Sequence, residues 1–140
     1  MDIETDMYLI YKEYMLEKST FKDVLNVFRR TPQSLSEFPT VVFREVINTD
    51  FYEGKSTDKS EYMDDLTFQV DIYTKDVNLN GTKYADAVVE KELKLMTANF
   101  FRKCGFERTS GTPADYIDIT VNRYVQTYNG KINNWNYKIS

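Results

Sequence analysis

Hydrophobic and polar positions follow two periods along this chain, and the clearest of them is a period of two in "LTFQVDIYTKD", residues 66–76. This alternation predicts a strand with two different sides. The apolar side carries Leu66, Phe68, Val70 and Ile72. The polar side carries Thr67, Gln69, Asp71 and Tyr73. The first side fits a core, so the question is what the second side faces.

A period near 3.6 residues predicts two helices, over residues 2–18 and about residues 82–103. The stripe of the first helix consists of Ile3, Met7, Ile10 and Tyr14, widened by Tyr11 and Met15. The stripe of the second consists of Ala85, Val89, Leu93, Met96 and Phe100, with Val88 and Leu95 beside it. Gly105 then predicts a left-handed cap at the end of the second helix.

Three further strands are predicted from β-branched and aromatic content. They are "TVVFREVI", "IDITVNRYVQTY" and "KINNWNYKI", and the Asn-Gly at 129–130 predicts a hairpin turn between the last two. In the second of these, the core side is predicted to carry Ile117, Ile119, Val121 and Val125. The other side is predicted to carry Asp118, Thr120, Asn122, Tyr124 and Tyr128. Residues 105–116 are interpreted as a loop or a short irregular strand, and residues 21–30 fit a short helix or a strand.

This order of elements predicts an α+β fold in one domain that spans residues 1–140. A single antiparallel or mixed β-sheet is packed on one face by the long helix, with the N-terminal amphipathic helix in addition, and the other face is free. Residues 48–65 form a long polar loop, and connections of that length are usually functional or mobile.

Charge and composition narrow the possible functions. The 18 basic residues against 22 acidic ones give a net charge of -4 without a Lys/Arg run, which argues against nucleic acid as a direct ligand. No stretch approaches the roughly 20 apolar residues of a membrane span, and the acidic N-terminus does not resemble a signal peptide, so we expect a protein made in a cytoplasm without membrane contact. The chain has no His and one Cys, Cys104, which removes the usual proton shuttle, nucleophile pairs and thiolate metal sites.

Carboxylates are the remaining candidates for catalysis or metal binding. These are Asp64, Asp65, Asp71, Asp76, Glu90 and Glu92. Their spacing matches no calcium loop or metal-binding helix, and the glycines form no phosphate-binding loop. We therefore expect no catalytic residue, no metal and no cofactor, and we interpret these carboxylates as a solvated surface.

Aromatic residues in polar surroundings give the candidate interface, because Tyr is enriched and charge depleted where proteins meet. The candidate residues are Phe51, Tyr52, Gln69, Asp71, Tyr73, Tyr124 and Tyr128. The alternative is that the tyrosines are good strand formers on a hydrated sheet face and that Phe51 and Tyr52 fold back onto the domain.

Several stretches carry a resemblance to a known family. "SEFPTVVFREV" before a polar loop, "LTFQVDIYTKD", "YADAVVEKELKLM" leading into "CGFERT", and "DITVNRYVQTYNGKI" occur in that order. From about residue 21 onward the chain resembles the phage tail terminator proteins, also called tail completion or minor capsid proteins, of Gram-positive phages and phage-tail-like bacteriocins. It differs from them in its long N-terminal helix and in the loop at 48–65.

The resemblance implies a non-enzymatic subunit that forms a sixfold ring at the head-proximal end of a tail tube, stops tube growth and offers a neck or head docking surface. It implies contacts with other copies, with the tail tube protein and with sheath or neck/head-connector proteins, in a virion or tail-like particle assembled in the bacterial cytoplasm. DNA at most passes through the lumen, and an acidic lumen would let it slide. It also favours a strand for "VLNVFRR", residues 24–30. The alternatives are a neck protein on the portal side, a small carboxylate-dependent metal enzyme, and a ligand-binding α+β domain.

Overall fold

The elements of the fold come from a computed structural model, which describes residues 3–29, 37–46 and 65–131. In chain order they are α1 Ile3–Lys18, β1 Asn26–Phe28, β2 Thr40–Glu45, β3 Asp65–Thr74, β4 Val77–Leu79, β5 Thr82–Tyr84, α2 Asp86–Lys103, β6 Glu107–Ala114 and β7 Asn122–Lys131. The predicted loop at 48–65 and the predicted strand at 131–139 lie outside the described residues, apart from Asp65 at the start of β3 and Lys131 at the end of β7.

The main sheet has the strand order β1-β2-β3-β7-β6. β1 runs parallel to β2 and the other neighbouring pairs are antiparallel, so the sheet is mixed. β4 and β5 form a separate two-stranded sheet, which the sequence interpretation did not include. The predicted α+β class with helices against one sheet is confirmed.

Both helices pack on the same face of the main sheet, and aromatic rings join them to it. Tyr11 of α1 lies with its ring centroid 5.3 Å from Phe43 of β2 and 5.2 Å from Phe100 of α2. Phe43 also stacks on Phe101 of α2, with centroids 6.0 Å apart. Such ring pairs add about 0.5–1.5 kcal/mol each beyond their buried area. Other fully buried members of this core are Met7, Met15, Phe68, Val70, Ile72, Val89, Leu93 and Cys104.

The segment between α1 and β2 forms turns followed by a short strand, so the strand alternative holds for residues 26–28 and the short helix is not formed at residues 20–28. Residues 20–24 form turns, in which the N–H groups of Val24 and Leu25 donate to the carbonyl oxygen of Phe21 at 2.9 Å and 2.8 Å. β1 then follows and pairs with β2. The buried ring of Phe21 fixes the turn against Tyr84, with ring centroids 5.1 Å apart.

The predicted start of the second helix at residue 82 is wrong, because α2 begins at Asp86. Residues 82–84 form β5, and Asn80 and Gly81 form the tight turn from β4 with positive φ angles of 52° and 83°. Asn-Gly is the dipeptide that tolerates such a turn. The predicted C-terminal cap is confirmed, since Gly105 has a φ of 87° and the Phe106 N–H donates to the Phe101 oxygen at 2.8 Å.

The predicted hairpin turn at 129–130 is also wrong, because Asn129 and Gly130 lie inside β7. Cross-strand pairing keeps them extended, with Asn129 opposite Thr67 and Gly130 opposite Leu66. Gly130 has a different role here, since a Cβ at this position would lie 2.7 Å from Cγ of Phe106. The glycine therefore makes room for a buried ring.

Candidate partner interface

The face of the main sheet opposite the helices carries three of the predicted interface residues. Gln69, Asp71 and Tyr73 alternate along β3 with the core residues, as the sequence pattern predicts. Their neighbours across the sheet also lie on this face: Asp71 stands between Val42 of β2 and Val125 of β7. Within the part of the chain that the structure describes, neither helix covers this face, which we call the open face.

A buried carboxylate organises the middle of the open face. Asp71 accepts hydrogen bonds from an Arg123 guanidinium nitrogen at 2.7 Å, from the Gln69 amide at 2.8 Å and from the Tyr73 hydroxyl at 3.3 Å. Partial burial disfavours the charge of Arg123, but the hydrogen bond and the attraction to Asp71 outweigh it and raise the pKa of the guanidinium. The Arg123 guanidinium therefore stays charged, and its contact with Asp71 serves as a fixed structural element.

Tyr73 is packed into the open face and does not project from it. It forms a small cluster with Val42 and Val121, and Tyr116 packs edge-on against its ring with centroids 5.3 Å apart. Burial, followed by repulsion from the Asp71 carboxylate, raises the pKa of the Tyr73 hydroxyl to about 12. Asp71 and Tyr73 are 5% and 3% exposed. They therefore support the structure of the open face and present little surface to a partner.

The prediction that Tyr124 and Tyr128 lie on the polar side is wrong. In the register of β7 against β3, Tyr124 stands opposite Ile72 and Tyr128 opposite Phe68, both on the core side. Tyr128 is 1% exposed, and Tyr124 is partly buried with the Lys94 ammonium 4.2 Å above its ring. The alternation of β7 is thus one residue out of step with the predicted one, which exchanges the two sides of the strand.

Residues 117–120, predicted as the first part of that strand, form an exposed loop before β7, and Val121 after them is buried against Tyr73. Ile117 and Ile119, predicted to face the core, are 97% and 94% exposed. The carboxylate of Asp118 closes the loop by accepting hydrogen bonds from the Thr120 N–H at 2.9 Å and the Thr120 hydroxyl at 2.7 Å. These bonds, more than the nearby Lys75 ammonium, lower the pKa of Asp118. A carboxylate that accepts from the backbone N–H two residues on forms an Asx-turn, a local arrangement that Asp favours.

The solvent side of α2 carries a second exposed apolar pair. Val88 and Leu95, which the sequence pattern places beside the buried stripe, are 53% and 55% exposed. Lys91 is exposed between them. Spacings of three and four residues place all three side chains on one side of the helix. Phe51 and Tyr52, the other predicted contact residues, lie outside the described residues.

Of the candidate metal-binding carboxylates, Asp64 and the side chain of Asp65 lie outside the described part of the chain, and the others have other contacts. Asp76 accepts from the Asp86 N–H at 2.9 Å, and Glu92 accepts from the Ser19 hydroxyl at 2.9 Å. Glu90 lies 3.5 Å from the Lys94 ammonium. In residues 3–29, 37–46 and 65–131, no three His, Cys, Asp or Glu side chains converge to hold a metal ion. Neither α1 nor α2 is long and apolar enough to cross a membrane.

The fold defines the class of this protein: two helices on one face of a mixed sheet, which is an α+β architecture. A scan against models of protein families finds no match to the chain, and a search among curated proteins finds no match either.

Proposed function

We propose that this chain is a structural subunit that forms a ring at the head-proximal end of a phage or tailocin tail tube. The ring stops tube growth and offers a docking surface for the neck or head. The sequence resemblance described above suggests this function. The structural observation that carries it is the near-complete exposure of two isoleucines, Ile117 and Ile119, on a loop fixed by its own hydrogen bonds.

Exposed apolar side chains in a fixed position favour a protein partner. Single exposed apolar residues are common on proteins. Two that lie two positions apart and are both almost fully exposed, as Ile117 and Ile119 are, indicate a contact site. Phe28, on the open face beside Val42, is a further large apolar side chain at 38% exposed. A ring subunit needs such surfaces, since each copy contacts neighbours on two sides and the tube on a third.

The charge of the chain agrees with a ring through which DNA passes. The net charge is -4 and the isoelectric point about 4.9, so the chain as a whole repels a phosphate backbone. Because affinity for DNA grows with the number of phosphates that basic residues neutralise, an acidic ring would let DNA slide without holding it.

Deletion of the gene in its host tests the proposal. We expect tubes of uncontrolled length or tails without heads, seen by electron microscopy of particles from the lysate, and normal tails when the wild-type gene is supplied in trans. Tails of normal length that fail to join heads would instead identify a neck protein on the portal side. Normal, complete particles after deletion would contradict both assignments.

A further inference from the structure

Two exposed patches, each with two aliphatic residues and one charged residue, lie on different sides of the subunit. The loop patch consists of Ile117, Asp118 and Ile119. The helix patch consists of Val88, Lys91 and Leu95. The loop patch belongs to the open-face side, because the neighbouring Tyr116 packs on Tyr73 there. The helix patch is on α2, across the sheet. The sheet therefore separates the two patches within one copy.

Contacts within the chain fix the conformation of the loop patch in the absence of a partner. Asp118 accepts two hydrogen bonds from Thr120, and its backbone oxygen accepts one from the Val121 N–H at 3.0 Å. The Lys75 ammonium lies 3.7 Å from its other carboxylate oxygen, and the Asp115 carbonyl accepts from Arg123 at 3.2 Å. A fixed loop loses little conformational entropy on binding, which favours its use as a docking element.

The chemistry of the two patches is complementary. Each has two aliphatic side chains with one charged side chain between them. That side chain is the Asp118 carboxylate in the loop patch, with the Lys75 ammonium 3.7 Å from it, and the Lys91 ammonium in the helix patch. Contact of a patch with its own equivalent in another copy would bring Asp118 to Asp118 or Lys91 to Lys91. Such like-charge contacts are unfavourable, whereas loop patch against helix patch pairs opposite charges.

We infer that the loop patch of one copy docks on the helix patch of the next copy, so that the partner at both patches is the chain itself. The contact joins two different surfaces and is therefore head-to-tail, the type that closes into a ring when the rotation between copies permits. This inference rests on the proposed ring and names the surfaces that build it.

Two variants, each of which disrupts one patch, test the contact. One is the double variant Ile117→Asp with Ile119→Asp, and the other is Leu95→Asp. Native mass spectrometry of the full chain is the measurement. We expect multimers for the wild type, monomers for each variant alone, and dimers without larger species for a one-to-one mixture. The mixture can form one intact contact, between the unaltered helix patch of one variant and the unaltered loop patch of the other, and then cannot extend.

Leu9→Asp is the matched control, because Leu9 is a helical leucine that is 54% exposed, against 55% for Leu95. We expect this variant to assemble as the wild type does. Circular dichroism spectra of all variants check that they fold. We expect them to fold because the substituted side chains are exposed. Assembly of the two patch variants as in the wild type would overturn the inference, as would equal loss of assembly in Leu9→Asp.

Cysteine cross-linking detects the contact where it is weak in solution. Cys104 is the only cysteine of the chain and is buried, so introduced surface thiols react selectively. With a short bifunctional maleimide, a chain carrying both Ile119→Cys and Leu95→Cys gives a ladder of products, and either substitution alone gives none. Two results together would overturn the inference. The wild type would stay monomeric, and the doubly substituted chain would give no ladder even in the presence of tube ends.

The outcomes separate this inference from the proposed function. Multimers through these patches together with normal tubes after gene deletion would support the contact and reject the terminator function. Loss of tube binding in the loop variant with unchanged multimers would assign the loop patch to the tube protein and reject the self-contact.

Discussion

The rings of Phe101 and Tyr128 stack face to face, with centroids 4.2 Å apart and planes 8° from parallel. This pair joins α2 to β7. Tyr128 lies in the core, where it is 1% exposed. The Tyr128 hydroxyl has no hydrogen-bond partner among the described residues, and burial raises the pKa of this hydroxyl. The ring contributes packing, and the buried hydroxyl opposes folding.

Tyr128→Phe therefore tests the balance between ring and hydroxyl. Because an unpaired buried hydroxyl costs about 1–3 kcal/mol, we expect the variant to be as stable as the wild type or more stable by about 1 kcal/mol. Tyr11→Phe is the matched variant, since the Tyr11 hydroxyl is hydrogen-bonded to the Thr97 hydroxyl at 2.9 Å. We expect it to lose about 1–2 kcal/mol. Urea unfolding measures both, and equal losses would contradict this account.

Gly130→Ala is expected to destabilise the fold by overpacking. The new methyl group would lie within 3 Å of the Phe106 ring, at 2.7 Å from Cγ, and that ring is buried. We expect a loss of about 1–3 kcal/mol in thermal or urea unfolding. Gly111→Ala is the control, because its Cβ would come closest to the hydroxyl of the partly exposed Tyr124 side chain, at 3.0 Å, and would meet no buried ring. A loss at residue 111 as large as that at residue 130 would refute this explanation.

The two Asn-Gly dipeptides show where local sequence stops predicting structure. At 80–81 the dipeptide forms the turn of the β4–β5 hairpin, and at 129–130 it lies in a strand. The difference comes from pairing with β3 and from the Phe106 ring, both distant in sequence. Local pattern alone favours a turn at both places.

The sides of the strands were predictable for β3 and not for β7. In β3 the apolar residues Phe68 and Val70 alternate with polar ones, so hydrophobicity identifies the core side. In β7 the core side carries Tyr124, Gln126 and Tyr128, whereas Val125 lies on the open face. Only the register against β3 reveals this. The placing of Ile117 and Ile119 in the core has another cause, because the predicted strand began at residue 117 whereas β7 begins at Asn122. The exposed loop patch was missed for that reason.

Gln126→Met is expected to stabilise the protein. Gln126 is fully buried, and neither its amide nitrogen nor its amide oxygen has a hydrogen-bond partner among the residues that the structure describes. Methionine has a similar shape without the cost of burying an amide, so we expect a gain of about 1–2 kcal/mol in urea unfolding. Gln69→Met is the control, because the Gln69 amide donates to Asp71 at 2.8 Å, and we expect that variant to be less stable than the wild type. A loss in both variants would show that the Gln126 amide is stabilising.

Alkaline pH is expected to destabilise the fold through its buried tyrosines. Tyr73 is the tyrosine whose pKa lies in a pH range where unfolding can be measured. Burial and the neighbouring Asp71 carboxylate raise its pKa to about 12, whereas a tyrosine in the unfolded chain ionises near pH 10. The folded chain thus holds the proton that the unfolded chain releases. The stability linked to this proton is complete below pH 10 and declines as the pH rises from 10 to 12, by at most about 1.4 kcal/mol per pH unit.

Tyr73→Phe removes this proton and isolates its contribution. At pH 8 we expect the variant to be slightly less stable than the wild type, because the hydroxyl no longer donates to Asp71. Between pH 10 and 12 the wild type loses stability faster, so the difference shrinks and then reverses. Urea unfolding at pH 8, 10 and 11 measures it. A difference that stays constant over this range would mean that Tyr73 ionises with the same pKa in the folded and unfolded chain, and so that the open face does not enclose its hydroxyl.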